Sequence, residues 1–533
     1  MARLSARTRP DRERILQPLQ RVCPSCRQSM RIRYENRRTL VTLSGAVRLR
    51  LKIRRCEQLG CPRHHTPYRP EAEGAIALPQ HEFGLDVIAL VGGLRHREHR
   101  SVPEIHAALR GRGVAIAERS VTNLLDRYDE LLAVSLTDSA RLRGLLASQG
   151  RVILALDGLQ PDVGHEVLWV VRDCLSGEVL LARSLLSGTA DDLAALLCAV
   201  AQAIGVPVAG VVSDGQTSIR RAVERALPGV PHQLCQFHFL REAALPVFEA
   251  DRHAKVQLKA QIRGVRRLER AVEDRDDTGS QVVRGYCAAV QRYHRGRPCA
   301  ARRLGPGAQR AAGEGGGEPG ACHGQGGQNT PPLLARLQRL IARGLQRTAA
   351  LWPDVACAYA WVHRAAHILN NREADSAAVV RRRFDGLLAA MHRHRHRVGA
   401  LADAIGHFRK VARSYRPGLF HCYAVSGLPR TNNDLEQLFG AQRYHESRAS
   451  GRKAASPATV LRGEVRLIAA TATRLRPIGA RELGEASRAA WRDLRHRLER
   501  RRHARTLRTR FRRDPDAYLA NLEQQLCQLT LPA

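Results

Sequence analysis

The segment from 151 to 242 constrains the fold most, because short apolar runs alternate there with amphipathic helical stretches. RVILALDGLQ predicts a buried strand that ends at Asp157, and a hairpin of two further strands follows it. Next come a helix capped by Thr189, a strand that ends at Asp214, another helix and the short strand HQLCQF. This order of strands and helices indicates a mixed α/β sheet layered with helices.

Two aspartates in this segment each end an apolar strand and precede a glycine, and they are Asp157 and Asp214. Because two such strand ends can lie side by side in a layered sheet, their carboxylates could share divalent cations. Oxygen ligands favour Mg2+ or Mn2+. Glu436 in TNNDLEQLFG could complete the set from a helix capped at Thr431 or Asn432. Each aspartate could instead serve only a turn or a helix cap.

Four cysteines near the N-terminus predict a structural zinc site. They form two short-spaced pairs, CPSC and CEQLGC, on either side of a strand-like alternation, and they are Cys23, Cys26, Cys56 and Cys61. Two pairs on two turns can converge tetrahedrally on Zn2+. The metal would hold together a zinc ribbon-like module over 15–70 that is too small for its own core. His64 or His65 could replace one thiolate, and the alternative is four unrelated core cysteines.

Residues 81–135 predict helices that resemble a helix-turn-helix. A glycine-containing turn at 111–113 separates two short helices, of which Ser120 opens the second. That second helix could enter a DNA groove, although any helical hairpin shares the pattern. A formal net charge of +37 attracts polyanions such as nucleic acid. An Arg-rich composition could also mirror a GC-rich genome.

The remaining chain is predominantly helical by pattern. Residues 243–430 predict helices, except for an irregular Gly-rich stretch at 295–332 that is either a flexible linker or a compensated frameshift that leaves the copy inactive. Residues 431–475 resume with a helix, and 476–533 predict a basic helical tail. The N-terminus carries no secretory signal, and no stretch is typical of a membrane span. We therefore expect a cytoplasmic protein associated with the nucleoid.

The ordered motifs LALDG, VVSDG, CQFHF and TNNDLEQLFG resemble those of DDE-type transposases of bacterial insertion sequences, in particular the Mutator-like group. The resemblance implies a ribonuclease H-like catalytic core built from 150–242 and 431–475, with a large all-α insertion over 243–430 between them. The cysteine-containing module at the N-terminus also resembles the zinc ribbon with which some of these transposases begin.

The same resemblance implies which residues act. Asp157, Asp214 and Glu436 would be the catalytic acids and would bind two Mg2+ or Mn2+ ions, which can activate a water or a 3′-hydroxyl against a phosphodiester. Asp434 and Glu446 are the alternatives for the third acid.

The residues around the three acids would support the site or bind DNA. Cys235 and His238 match a Cys-x-x-His motif on the strand after the second acid, where packing on a strand is the alternative. Arg443 lies two turns beyond the third acid on the same helix face and could meet a DNA phosphate. The other expected phosphate contacts, in the basic loop SRASGRK, are Arg448, Arg452 and Lys453.

The expected function is therefore DNA transposition. The enzyme would hydrolyse phosphodiesters at the ends of an insertion sequence and transfer the strands to target DNA. Its partners would be double-stranded DNA and further copies of itself, because two DNA ends must meet. A ribonuclease H-like nuclease without strand transfer, or an inactive transposase-derived DNA-binding protein, are the alternatives.

Overall fold

The computed structural model describes residues 9–160, 166–293, 332–452 and 457–530 of the 533-residue chain. The irregular stretch predicted at 295–332 lies outside the described residues, except for Pro332. The chain divides into two compact units. The first comprises Met1–Val211, Gln216–Val230 and Asn432–Ala533, and the second comprises Val212–Gly215 and Pro231–Thr431.

The first unit opens with a three-stranded sheet in the order β1-β3-β2, formed by β1 (Arg12–Leu16), β2 (Arg31–Thr42) and β3 (Gly45–Arg55). β2 and β3 are antiparallel and β1 is parallel to β3. Leu40, Leu49, Leu51 and Ile53 fill a small core on one face, as the alternation predicts. So small a core leaves the module in need of a further constraint.

Five helices follow, and they are α1 (Glu73–Ile76), α2 (Leu85–His96), α3 (Val102–Arg110), α4 (Glu118–Leu136) and α5 (Ser139–Ala147). Ser101 and Glu104 form a capping box at the start of α3. A turn at 111–113, with Gly113 at φ +78°, separates α3 from α4. The second helix was expected to open at Ser120, but it begins at Glu118, two residues earlier.

The sheet at the centre of the first unit has the order β6-β5-β4-β7. Its strands are β4 (Val152–Leu159), β5 (Val167–Asp173), β6 (Val179–Leu185) and β7 (Val208–Ser213), and the two helices of this segment are α6 (Ala190–Ile204) and α7 (Thr217–Ala226). Both neighbouring pairs among β4, β5 and β6 are antiparallel. The predicted mixed α/β arrangement is confirmed, with Thr189 capping α6 through its side chain.

The C-terminal part of the first unit is helical. Its helices are α16 (Asn433–Ser450), α17 (Pro457–Leu475), α18 (Ala480–Gly484), α19 (Arg488–Arg513) and α20 (Pro515–Thr530). α17 packs against α4 and β6. The predicted helical tail is therefore present, as two long helices.

The second unit contains the last two residues of β7, the neighbouring strand β8 (His232–Leu234), and helices. The helices are α8 (Gln236–Ala243), α9 (Leu245–Gln261), α10 (Val265–Ala271), α11 (Thr278–Tyr293), α12 (Pro332–Thr348), α13 (Trp352–Asn370), α14 (Ala377–Arg393) and α15 (Ala402–Tyr415). Phe239, Phe384, Phe408 and Tyr415 contribute rings to one buried cluster. None of the helices that the described residues form combines the length and the hydropathy needed to cross a bilayer.

Candidate metal centre and carboxylate site

The four N-terminal cysteines converge on one point. Cys26 lies ahead of β2 and Cys56 directly follows β3, so the strand pair brings the two cysteine turns together. The Sγ atoms of Cys23 and Cys61 are 3.7 Å apart, and those of Cys26 and Cys56 are 3.4 Å apart. All four sulfur atoms lie within 4.8 Å of one another.

These distances fit a tetrahedral metal. Zinc–sulfur bonds of about 2.3 Å in a tetrahedron separate the sulfur atoms by about 3.8 Å. The backbone N–H of Cys26, and next that of Ser25, lower the pKa of the Cys23 thiol to about 6 against the opposing effect of burial. A thiolate is the form that binds metal. This four-cysteine group can therefore hold a metal such as zinc, and neither His64 nor His65 is needed as a ligand.

Asp157 lies inside β4 and is half-buried. We expected the strand to end at this residue, but it continues to Leu159 because Gly158 and Leu159 still pair with β5. The Oδ1 atom of Asp157 accepts a hydrogen bond of 2.8 Å from the backbone N–H of Gly158. That bond fixes one oxygen of the carboxylate against its own strand.

Asn432 links Asp157 to the helix that carries Glu436. Its side-chain Nδ2 donates to Oδ2 of Asp157 at 3.2 Å and to the carbonyl oxygen of Leu156 at 3.3 Å. Asn432 stands at the N-cap position of α16, yet its side chain makes no capping bond. Its carbonyl accepts from the N–H of Glu436 at 3.3 Å. The sequence predicts a helix cap at this residue, and it gives no sign of the bridging role.

Glu436 is the half-buried fourth residue of α16, in the helix turn that Asn432 fixes to β4. The two alternatives for the third acid have different surroundings. Asp434 is exposed. Glu446 is buried, 3.3 Å from the side-chain nitrogen of Gln442 and 3.6 Å from the guanidinium of Arg466. Because Glu446 is buried and lies beside Arg466, it is less suited than Glu436 to bind an ion together with Asp157.

Asp214 belongs to the second unit and directly follows β7, as the sequence predicts. Its carbonyl oxygen is 3.2 Å from the hydroxyl of Tyr415, which also lies 2.9 Å from the carboxylate of Glu242. Gly215 follows with φ +87°, a conformation that other residues adopt only with strain. The hydroxyl of Tyr415 thus holds the backbone carbonyl of Asp214.

Cys235 and His238 occupy a junction of strand and helix. The strand predicted over HQLCQF is wrong in extent, because β8 ends at Leu234 and Gln236 already begins α8. Cys235 is buried at the N-cap of α8, and its N–H donates to the carbonyl of Ser213 at 2.8 Å. The backbone of Cys235 is therefore bonded to the last residue of β7, which precedes Asp214, while His238 lies half-buried in the first turn of α8. A role of the two side chains in supporting the site stays a prediction.

The predicted basic residues lie mainly on α16. Arg443 is exposed on this helix. Arg448 lies in its last turn, 3.4 Å from the carboxylate of Glu104, and Arg452 follows the helix end at Gly451. The loop expected over SRASGRK is thus helical as far as Ser450. Lys453 lies outside the described residues.

Three histidines near the C-terminal half of α16 carry no sequence motif and were not predicted, and of these His96 and His445 are buried and His99 is half-buried. Nδ1 of His445 is 2.9 Å from Nδ1 of His99, and Nε2 of His96 is 2.7 Å from the carboxylate of Asp129. Burial, followed by the charges of His96 and Arg95, lowers the pKa of His445 to about 2. His445 therefore stays neutral in the folded protein.

Within the described ranges, the four-cysteine group is the one set of three or more metal-ligating side chains whose ligand atoms all lie within 4.8 Å of one another. A shared ion between Asp157, Asp214 and Glu436 stays a prediction. No protein-family model matches the chain, and no curated protein shows a significant match to it.

Proposed function

We propose that this protein is a DNA transposase whose catalytic acids are Asp157, Asp214 and Glu436. The observation that supports it best is the hydrogen bond from Asn432 to Asp157, which joins residues 275 positions apart. It holds the first turn of α16, with Glu436, against the strand that carries Asp157. Two of the three acids named by the motifs are thereby linked through one buried side chain.

The three carboxylates would hold two Mg2+ or Mn2+ ions, for which oxygen ligands are the preferred donors. When bound, such ions activate an attacking oxygen and stabilise the leaving oxygen of a phosphodiester. The other residues of the chain contribute by positioning these carboxylates. Asn432 orients Asp157 and sets the start of α16, Cys235 holds the backbone at Ser213, and Tyr415 holds the backbone carbonyl of Asp214. A ribonuclease H-like arrangement of the core is part of this proposal.

DNA binding is supported by charge and by the exposed start of α4. The net charge of +37 favours any polyanion. In the helix-turn-helix-like segment, Arg119, Thr122 and Asn123 are exposed in the first turns of α4, whereas the rest of the helix is largely buried. The first residues of a recognition helix are the ones that contact base edges. Arg443, Arg448 and Arg452 would contact phosphates.

The test is a strand-transfer reaction with Mg2+ on labelled DNA. The substrate ends are to be taken from short inverted repeats sought in the genomic DNA that flanks the gene. We expect cleaved ends that join a target plasmid. Asp157→Ala, Asp214→Ala and Glu436→Ala should each lower both steps by about 10^3-fold or more, because several kcal/mol of transition-state stabilisation are lost.

The matched control is Asp434→Ala, which removes an exposed carboxylate two residues before Glu436 and should retain activity. Cleaved ends that are never joined would indicate a nuclease without strand transfer. If the wild-type protein binds the ends without cutting them, it is an inactive DNA-binding descendant. An Asp214→Ala variant as active as wild type would refute the proposed site.

A further inference from the structure

The last described helix, α20, is covered by no other described residue along most of its length. From Pro515 to Leu529 every described residue is exposed except Tyr518, which is half-buried. Its four leucines expose large fractions of their surface, namely Leu519 49%, Leu522 44%, Leu526 62% and Leu529 83%. Single exposed leucines are common on protein surfaces, but four on one short helix form a continuous apolar stripe.

The spacing of these leucines is that of a coiled-coil seam. Intervals of three, four and three residues place them at successive a and d positions of two heptads. A helix that packs on a globular core usually shows a wider apolar face than this narrow stripe. Polar residues such as Asn521, Gln524 and Gln528 occupy the other side. The stripe is therefore suited to another helix with the same pattern.

The distribution of charge indicates which helix could pair with this leucine stripe. The segment 514–530 carries Asp514, Asp516 and Glu523 and no Lys or Arg, whereas α19 directly before it is rich in arginine. Two copies of so basic a chain repel each other over most of their surfaces. With three carboxylates and no arginine, the segment is less densely charged than α19, so two copies meet there with less repulsion than at α19, and it is also where the leucines are exposed.

We propose that α20 pairs with α20 of a second copy of this chain, in an antiparallel two-fold arrangement. The intervals of three, four and three read the same in both directions, so Leu519 would meet Leu529 of the second copy, and Leu522 would meet Leu526. A parallel pair would bring the two arginine-rich α19 helices alongside each other. The antiparallel pair places them at opposite ends, where they repel less.

Two heptads make a weak contact, since isolated coiled coils normally need three or four. The pairing of free protein is therefore expected only at high concentration. Copies bound to two DNA ends would meet at a raised effective concentration, which strengthens a weak contact without new interactions. This last step depends on the proposed function, while the pairing itself does not.

The experiment uses the full chain without DNA and follows sedimentation from about 1 to about 100 µM. Salt of about 0.5 M screens the general repulsion between copies. We expect a dimer that grows with concentration in the wild type. The double variant Leu522→Glu/Leu526→Glu should stay monomeric throughout. The matched control, Gln524→Glu/Gln528→Glu, adds the same charge on the opposite side and should dimerise like the wild type.

Disulfide trapping tests the direction of the pair. The variants are made in a protein in which four other cysteines are replaced with serine. These are the exposed Cys198 and Cys527, and Cys299 and Cys322, which lie outside the described residues. A mixture of the single variants Leu522→Cys and Leu526→Cys should then form a mixed disulfide under mild oxidation, while Leu522→Cys alone should not, because only close Cβ atoms can be bridged.

Three results would overturn the proposal. They are a wild type that is monomeric at every concentration, a leucine variant that dimerises as well as its control, or a disulfide between two copies of Leu522→Cys. DNA and catalysis play no part in these assays. A dimer in a protein that never cuts DNA would therefore refute the proposed function and leave the pairing intact.

Discussion

The four-cysteine group and the carboxylate site are built in opposite ways. Cys23 and Cys61 are 38 positions apart, and one strand pair brings all four thiols together. The bond from Asn432 to Asp157 spans 275 positions, and Asp214 belongs to a different compact unit. The four-cysteine group is a product of local structure, whereas the proposed carboxylate site would depend on the fold of most of the chain.

The two sites also differ in what they contribute to stability. The N-terminal sheet has a small core, so a metal at the four-cysteine group would supply much of its folding free energy. The sheet that carries Asp157 has a large core of its own, in which Leu154, Leu156, Val171 and Leu197 are buried. We therefore expect substitutions at the first site to unfold a module and substitutions at the second to change function.

The largest expected effect comes from Cys56→Ser. Losing one of four thiolates should release a structural metal whose binding contributes about 10 kcal/mol in comparable small modules. The zinc content measured by atomic emission should fall from one equivalent per chain to none, and the segment 9–70 should become sensitive to trypsin.

Cys198→Ser is the control for this change, because it removes an exposed thiol from α6. It should keep both zinc and resistance to trypsin. If Cys56→Ser retained a full equivalent of zinc and an intact module, the four-cysteine group would not be a structural metal site.

The carboxylate site should respond to Asn432→Ala in its rate more than in its stability. The change removes the donor to Asp157 and to Leu156, and buried hydrogen bonds of this kind contribute about 1–3 kcal/mol when their partners lose them. If that loss falls on the transition state, cleavage should slow by about 10- to 100-fold. Single-turnover cleavage of labelled end DNA measures it.

Asn433→Ala is the matched control, since this neighbouring asparagine is exposed. Its cleavage rate should stay close to that of the wild type. Equal rates for the two variants would mean that the link between α16 and β4 does not position the acids.

How far the sequence predicts each site follows from this difference. The spacing of the cysteines already implied their convergence, because two turns at the ends of a strand pair leave little freedom. The strands that carry Asp157 and Asp214 were also predictable from apolar runs, apart from the extra residues of β4. The bridge by Asn432 was not predictable, because asparagine occurs both at helix caps and in bridges between elements. Only the tertiary contact distinguishes the two roles.

The motif at Cys235 shows a second limit. The short apolar run HQLCQF predicted a strand that includes Cys235, but β8 is only three residues long and the helix begins at Gln236. Short apolar runs fit strand and buried helix equally well. The histidines behind α16 show a third limit, because His99 and His445 are 346 positions apart and no local pattern relates them.

The buried His445 predicts that the stability of the unit that contains α16 depends on pH. The pKa of His445 is about 2 in the folded chain, against about 6.5 when unfolded. Below pH 6.5 the unfolded chain gains a proton that the folded chain does not take up. Stability is therefore lost as the pH falls, by about 2 kcal/mol between pH 6.5 and pH 5. Urea unfolding at both pH values, followed by circular dichroism, measures the loss.

His445→Leu should remove that part of the pH dependence, since leucine does not titrate. His503→Leu, at an exposed position of α19, should leave it unchanged. An identical pH dependence in all three proteins would show that His445 does not anchor α16.

The smallest expected effect concerns Arg443, and it tests whether the exposed face of α16 meets DNA. One phosphate contact contributes about one unit to the slope of log affinity against log salt, so Arg443→Ala should reduce that slope by about 1 and weaken binding to all sequences alike. Fluorescence anisotropy between about 50 and 200 mM salt measures the slope.

The control is Arg481→Ala, which removes the same charge from an exposed residue of α18. It should leave the slope unchanged if α18 lies away from the DNA. A slope that falls equally in both variants would mean that only the overall charge of the chain matters, and Arg443 would then have no particular place beside the acids.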